Sequence, residues 1–209
     1  MRPFLLATIL VTTAILLNGC FSGPPPGEYH YYVLDYVPAA SSERLAQAPW
    51  PKRLLVRNFP MGEAYLRPEL VYRTSAYEIQ YHWRDRWAVR PEQVVSDMVR
   101  KHVTETRLFQ TVQNQYEENG ADYELKGRVI TLEEYRTESA RFAHLDLRVD
   151  FVRIGDNRVL WSQEFDLRRQ VQGDAPVLVV RALSSLLEAT VDRSIGAIDS
   201  VMRTEIVHP

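Results

Sequence analysis

The sequence predicts an α+β domain, a mainly antiparallel sheet with two principal helices packed on one face. Several segments alternate apolar and polar residues with a period of two, which is typical of strands that have one buried face. Two other segments repeat apolar residues every three or four positions, as amphipathic helices do. Because the predicted strands fall into two groups that are each followed by one helix, their order favours α+β over a regular βαβ alternation.

Length and composition are those of an ordinary globular chain with one folded domain. The chain has 209 residues, of which 45% are hydrophobic and 25% charged, and its formal net charge is −2. It has no basic run, which argues against nucleic acid as a partner, because phosphate binding needs clustered Lys and Arg. Cys20 is the only cysteine, so no disulfide can form within the chain.

The segment of residues 70–99 is the most aromatic part of the chain. It is predicted to contribute a strand, a tight turn and the start of a helix. Alternate residues are expected to form the inner face of this strand: Tyr77, Ile79, Tyr81 and Trp83. A charged turn made of Arg84, Asp85 and Arg86 is then expected to lead to Trp87.

Two prolines mark the expected helix starts. Pro91 begins a helix that should end near Thr106, and Pro176 begins one that should end near Met202. Proline suits the first helical position because its missing N–H would be unpaired there in any case. The strands outside residues 70–99 are expected at residues 29–36, 53–59, 109–113, 123–129, 145–151 and 159–167.

The N-terminal residues have the pattern of a bacterial lipoprotein signal. An uncharged apolar run covers residues 4–17, which is short for a membrane span and suits a secretory signal. The sequence Leu-Asn-Gly-Cys that ends at Cys20 resembles the lipobox, in which the cysteine thiol is acylated. We therefore expect a signal peptide at residues 1–19, a lipidated Cys20 with a Pro-rich tether at residues 20–28, and a domain at residues 29–209. A plain signal peptide with an incidental cysteine is the alternative.

The sorting rule for bacterial lipoproteins indicates the outer membrane. Phe21 follows the cysteine, where an aspartate would be the usual signal for retention in the inner membrane. The expected location is therefore the periplasmic face of the outer membrane, held by the lipid anchor.

No pattern in the sequence indicates catalysis. It has no Gly-rich phosphate loop, nucleophile elbow or zinc-protease helix, so we predict no catalytic residue, cofactor or metal site. Ser75, His82 and Asp85 could suggest a triad, but three common residue types near one turn are more often structural. Glu133 and Glu134 are adjacent in a predicted strand, so they should face opposite sides and not converge.

The aromatic residues admit two interpretations. They could line a contact surface, because Tyr and Trp are enriched at interfaces, or they could fill the core. We favour the core for Tyr77 and Tyr81 and leave the stretch from Trp83 to Trp87 open.

The sequence around this stretch resembles one protein family. The run Val-Tyr-Arg-Thr-Ser-Ala-Tyr-Glu-Ile at residues 71–79, followed by Arg-Trp-Ala at residues 86–88, is similar to the ABC-type transport auxiliary lipoproteins, the PqiC-like family. The similarity continues through residues 123–129 and 159–161 and the last helix. It implies an α+β fold and an outer-membrane-anchored periplasmic subunit that works with an MCE-domain protein and inner-membrane transporter components. It also implies a phospholipid or other hydrophobic cargo and assembly into a homo-oligomer.

Three functional hypotheses follow. The first is a non-catalytic subunit of an MCE/ABC-type lipid transport system. The second is a lipid-binding carrier that acts alone, and the third is a lipid-anchored periplasmic hydrolase. The candidate partner-contact residues are Tyr72, Arg73, Trp83, Arg86 and Trp87. We expect the first two at a strand edge and the last three at a surface corner.

Overall fold

The computed structural model describes residues 27–38, 48–115 and 120–207. These residues form an eight-stranded mixed sheet and two α-helices, which confirms the predicted α+β fold. The predicted signal peptide and the lipidation site at Cys20 lie outside the described residues. Neither helix in the described ranges is long and apolar enough to cross a membrane.

Both helices begin where the sequence predicts. The first runs over Pro91–Glu105 (α1) and the second over Pro176–Val207 (α2). The strands are His30–Tyr32 (β1), Trp50–Val56 (β2), Glu69–Arg73 (β3), Ile79–Trp87 (β4), Phe109–Gln113 (β5), Tyr123–Arg136 (β6), Arg141–Arg153 (β7) and Arg158–Val171 (β8). A 3-10 turn at Glu63–Tyr65 precedes β3.

Strand β6 is the centre of the sheet. Along one side it pairs antiparallel with β7, which pairs antiparallel with β8. Its other side is shared by two shorter strands, both parallel to it: β2 pairs at its start and β3 at its end. Beyond β2 lies β5, and beyond β3 lie β4 and then β1. The long pairings are therefore antiparallel, and the short ones, apart from β3 with β4, are parallel.

The core lies between one face of the sheet and the two helices. Helix α2 packs against β7 and β8, and α1 packs against α2. Alternate residues of β7 are buried on this face: Ala143, Leu145, Leu147, Val149 and Phe151. They meet the apolar stripe of α2, which includes Leu187, Ile198 and Met202. Period-two strands and a period-three-to-four helix thus bury their apolar residues against each other.

One glycine of β6 is required by this packing. A Cβ atom on Gly127 would lie 2.5 Å from the ring of Phe59, whose side chain is fully buried. Real Cβ atoms do not approach a ring so closely, so a larger residue here would displace Phe59. The glycine in the predicted strand therefore marks a close approach between a side chain and the backbone.

The charged turn expected within residues 70–99 is wrong. Strand β4 continues through Arg84, Asp85 and Arg86 to Trp87. Its pairing with β3 contains a large bulge. Glu69 lies opposite Arg86 and Val71 lies opposite Tyr81, so one β3 residue and four β4 residues lie between these paired positions. The two strands thus keep pairing on both sides of the extra β4 residues, and no reversal of the chain is needed.

The aromatic inner face expected for this strand is also wrong in part. Tyr77 lies before β4 and is 100% exposed, and Trp83 lies in the bulge and is 55% exposed. Only Ile79 and Tyr81 of the four predicted residues pack against the core. The bulge breaks the alternation that the prediction assumed.

The first predicted strand is shorter than its alternation suggests. Strand β1 ends at Tyr32, although Leu34 and Tyr36 still point to the core. The partner strand β4 ends at Trp87, so the chain beyond Tyr32 has no strand edge with which to pair. The backbone N–H of Asp35 instead donates to the hydroxyl of Ser184 on α2, at 3.2 Å.

Candidate functional site

The five candidate contact residues lie on neighbouring strands but in different surroundings. Tyr72 and Arg73 belong to β3, which is paired with β4 on one side and β6 on the other. They therefore do not lie at a sheet edge, contrary to prediction. Trp87 is 4% exposed and belongs to the core, so it does not form part of a surface corner. Of the expected surface corner, Trp83 is exposed and Arg86 is half-buried.

A first cluster of charged groups surrounds Glu133. The hydroxyl of Tyr65 and Nε of Arg73 donate to its Oε2 atom at 2.7 and 2.9 Å. Its Oε1 atom lies 3.3 Å from Nδ1 of His144, whose Nε2 is 2.7 Å from Asp166. The cluster thus joins the 3-10 turn, β3, β6, β7 and β8 through one buried carboxylate.

A second cluster surrounds the adjacent carboxylate of Glu134. It accepts hydrogen bonds from Nε and Nη2 of Arg136 at 2.6 and 3.0 Å, and from Arg141. Nε2 of His82 lies 3.2 Å from the same carboxylate. The two glutamates share no partner, as expected for consecutive strand residues that point to opposite faces.

Both carboxylates are held in the charged form. Burial alone would raise the pKa of Glu133, but hydrogen bonds from His144, Tyr65 and Arg73 lower it below its usual value. Burial is likewise outweighed at Glu134, where His82, Arg136 and Arg141 lower the pKa strongly. Neither group can therefore act as a general acid near neutral pH, and their oxygens are already occupied by donors.

The triad suggested by Ser75, His82 and Asp85 does not assemble. Nδ1 of His82 lies 3.5 Å from Asp85, but its Nε2 faces Glu134. The hydroxyl of Ser75 accepts the N–H of Tyr77 at 3.3 Å and has no contact with His82. A serine nucleophile needs the imidazole within hydrogen-bond reach, so these three residues do not form a hydrolase site.

Asp85 instead fastens β1 to the sheet. It accepts a hydrogen bond from the hydroxyl of Tyr32 at 3.0 Å and lies 3.2 Å from Nδ1 of His30. Burial and this carboxylate raise the pKa of Tyr32 to about 12. The N-terminal strand is thus held by its parallel pairing and by one shared carboxylate.

A surface of aromatic and arginine side chains lies along β1 and β4, where the aromatic rings are exposed and the arginines are half-buried. We call it the aromatic–arginine surface, and it comprises Tyr29, Tyr31, Trp83, Arg84 and Arg86. The tyrosines are 45% and 62% exposed. Cζ of Arg84 lies 4.0 Å from the Trp83 ring centre, and Cζ of Arg86 lies 4.3 Å from that of Tyr29. Cation–π stacking keeps these rings ordered at the surface.

The cavities of the described residues offer little room for an acyl chain in the core. Two apolar cavities between the helices and the sheet, one beside Trp87 and one beside Phe59, have volumes of about 10 Å³ each. Ligand pockets usually measure about 300–1,000 Å³. A larger cleft of about 790 Å³ is open and polar, and lies at the turn between β6 and β7, beside Arg136, Arg141 and Asp174. In the described parts of the chain, no group of three or more His, Cys, Asp or Glu side chains could hold a metal ion.

Comparison with known families decides where the chain belongs. The sequence profile of the ABC-type transport auxiliary lipoprotein component family matches residues 32–193. The chain belongs to this family. The match spans every strand from β2 to β8, helix α1 and the greater part of α2. No curated protein sequence matches the chain.

Solved structures share the fold of this auxiliary lipoprotein. A DUF330 protein from Xanthomonas campestris superposes with a TM-score of 0.69 at 19% identity, covering 86% of this chain and 98% of that one. An uncharacterized protein superposes with a TM-score of 0.65 at 13% identity, covering 82% and 99%. At these identities the likeness establishes the fold alone.

Sequence reasoning missed the two buried carboxylate clusters. The sequence shows Glu133 and Glu134 as adjacent residues on opposite strand faces, but it does not show which partners each of them meets. One signal could have indicated them, since two adjacent glutamates interrupt an otherwise alternating strand next to several arginines. The partner His144 and the 3-10 turn with Tyr65 are distant in sequence, and only the strand order brings them together.

Proposed function

We propose that this chain is a non-catalytic, lipid-anchored periplasmic subunit of an MCE/ABC-type system that moves phospholipid or another hydrophobic compound between membranes. The observation that carries the proposal is the family match over residues 32–193, with a lipobox ending at Cys20 directly upstream. The proposed anchor lies in the outer membrane, since the residue after the cysteine is Phe21 and not the aspartate that usually retains a lipoprotein in the inner membrane. The proposed partners are an MCE-domain protein and inner-membrane transporter components, together with further copies of the chain.

Two features of the fold support a binding role over catalysis. The carboxylates of Glu133 and Glu134 each already accept hydrogen bonds from several side chains, and the hydroxyl of Ser75 accepts the N–H of Tyr77 and is not hydrogen-bonded to His82. The apolar cavities beside Trp87 and Phe59 are too small for an acyl chain, which speaks against a carrier that encloses lipid in its core. The hydrophobic cargo would then pass through a partner protein and not through the core of this chain.

The first test concerns the anchor. The full chain is expressed in its native host, and the N-terminal peptide of the membrane fraction is analysed by mass spectrometry. The expected N-terminus is an acylated Cys20, in the outer-membrane fraction. Cys20→Ala should abolish both the acyl mass and the membrane association, whereas an unmodified cysteine in the native chain would contradict the anchor.

The second test concerns the partners. Affinity purification at native expression, after mild crosslinking, should recover an MCE-domain protein and components of an ABC permease. Light scattering of the purified chain reports whether it forms a homo-oligomer. Purification that repeatedly recovers the chain without any MCE-domain protein would overturn the proposed system. Ser75→Ala is a control substitution that should leave the recovery unchanged, because Ser75 is not one of the candidate contact residues.

A further inference from the structure

We propose that the aromatic–arginine surface of β1 and β4 lies against the phospholipid headgroup layer of the membrane that holds the anchor. This inference rests on the lipid anchor of the proposed function and adds an orientation: the side of β1 and β4 that carries these side chains is turned toward the bilayer.

The first observation is where the tether reaches the fold. Gly27 is packed so closely on Arg84 that a Cβ atom on it would lie 2.5 Å from the guanidinium carbon. The chain therefore enters the fold at the aromatic–arginine surface itself. Gly27 follows Cys20 by seven positions, and a fully extended chain of that length spans only about 23 Å at about 3.3 Å per residue. An acylated Cys20 holds this surface within that distance of the membrane.

The second observation is the chemistry of the surface. Tyr29, Tyr31 and Trp83 are each about half exposed, although large aromatic side chains are usually buried. Tyr and Trp are the residues that concentrate at the level of lipid headgroups, where the ring meets apolar chain and the polar tip meets water. A lipid headgroup layer is therefore an environment that suits this exposed set.

The third observation is an uncompensated charge. Within the described residues, Arg84 pairs with no carboxylate, and its Nε atom has no hydrogen-bond partner. Nearby, Glu69 is shared by Arg86 at 3.4 Å and Arg67 at 3.4 Å. The surface therefore carries more arginine than carboxylate, in a chain whose net charge is negative. Phosphate groups would accept hydrogen bonds from these guanidinium groups.

The test uses quenching of tryptophan fluorescence by brominated lipid. The full acylated chain is reconstituted in phosphatidylcholine vesicles whose acyl chains are brominated near the headgroup. The chain has four tryptophans, and Trp83 is the exposed one among them, whereas Trp50, Trp87 and Trp161 are buried or half-buried. We expect bromine-dependent quenching that Trp83→Phe removes. Trp161→Phe on β8 is the matched control and should leave the quenching intact.

A second variant tests the charge. A basic side chain near a membrane surface contributes about 1 kcal/mol, so Arg84→Gln should shift the equilibrium between the docked and undocked surface about fivefold. Quenching of Trp83 should fall accordingly in vesicles that contain phosphatidylglycerol, and Arg84→Lys should restore most of it. Thermal unfolding of each variant serves to check that the fold is kept.

The outcomes separate this inference from the proposed function. If mass spectrometry finds no acyl group on Cys20, the anchor and the inference fail together. If the chain is acylated and Trp83 is not quenched, the inference alone fails. If brominated lipid does not quench Trp83 and its fluorescence changes only when an MCE-domain protein is added, the surface would be assigned to that protein. This result would also overturn the inference.

Discussion

Asp146 on β7 faces carboxylates from the neighbouring strand. It lies directly opposite Asp166 in the register of β7 and β8, and Glu164 is also near. Burial, followed by these two charges, raises the pKa of Asp146. One of its oxygens is buried and accepts no hydrogen bond within the described residues. The charged form of this side chain is therefore less favourable in the folded protein than in the unfolded chain.

Replacing this charge should stabilise the protein. Asp146→Asn is expected to raise the free energy of unfolding at pH 7 by roughly 0.2–1 kcal/mol, the usual size of a cross-strand side-chain interaction, because like charges on directly opposite residues are destabilising. Urea denaturation measures the change. Asp150→Asn is the matched control on the same face, and it should be destabilising because Asp150 accepts hydrogen bonds from Arg148 and Ser162. Stabilisation by both variants would contradict this account.

His102 on α1 should make stability depend on pH. Its side chain is fully buried between Tyr36, at 3.1 Å, and Asp192, at 3.1 Å. Burial lowers its pKa, although Asp192, Glu188 and Glu105 oppose this effect. A histidine whose pKa is lower in the folded state stabilises the fold above its unfolded value of about 6.5, and this contribution is lost as pH falls through the folded value.

The prediction for His102 is a fall in stability between pH 7 and pH 5.5. Urea denaturation across this range should show lower midpoints at the acid end, and His102→Gln should flatten the dependence. The lowered pKa values of Glu133 and Glu134 cause their own losses only at lower pH, below the ordinary glutamate value. An unchanged slope in His102→Gln would assign the effect to another group.

Among the elements, β4 separates two tryptophans that the sequence treats alike. Trp87 is packed in the core, and Trp83 stands in the bulge with Arg84 stacked on it. The alternation of β4 would have placed both on one face, since they are four residues apart. The bulge places them in different environments, so their roles should differ in kind.

A pair of substitutions in β4 measures this difference. Trp87→Ala should cost about 3–5 kcal/mol of unfolding free energy, as expected for an aromatic side chain removed from a core. Trp83→Ala should cost about 1 kcal/mol or less, because only a surface cation–π contact is lost. Thermal or chemical unfolding of both variants decides the matter. Similar losses for the two would mean that Trp83 also contributes to packing.

The helices could be predicted from sequence, and much of the sheet could not. Pro91 and Pro176 mark helix starts locally, and the apolar stripes that follow need no distant partner to be recognised. The bulge of β4 and the early end of β1 depend on which strands lie alongside, which is fixed by residues far away in the chain. The clusters around Glu133 and Glu134 were missed for the same reason.

For the whole molecule, β6 connects two unequal parts of the sheet. It is paired on both sides, and β7 beside it is paired along its full length. Strand β1, in contrast, has three residues and one neighbour. Local stability follows such differences in packing and hydrogen bonding. The resistance to opening should therefore decline from the β6–β7 pair toward β1.

Hydrogen exchange should reveal this gradient. Amides of β6 and β7 are expected to exchange only through global unfolding, whereas amides of His30–Tyr32 should exchange through local opening. Exchange followed by mass spectrometry or NMR, with increasing denaturant, distinguishes the two routes. Equal protection of the amides of β1 and β6 from exchange would mean that the contacts of Asp85 make β1 unfold together with the central strands.

The weak attachment of β1 has a mechanical consequence if the chain carries the proposed anchor, because that anchor would pull on the fold through this strand. A load on the tether meets the three-residue pairing of β1 and the contacts of Asp85 before it reaches Leu34, which is buried in the core. Release of His30–Tyr32 from the sheet would lengthen the tether by about 13 Å, at about 3.3 Å for each of the four residue steps from His30 to Leu34. The domain could thus follow a partner that moves away from the membrane, while the core stays folded.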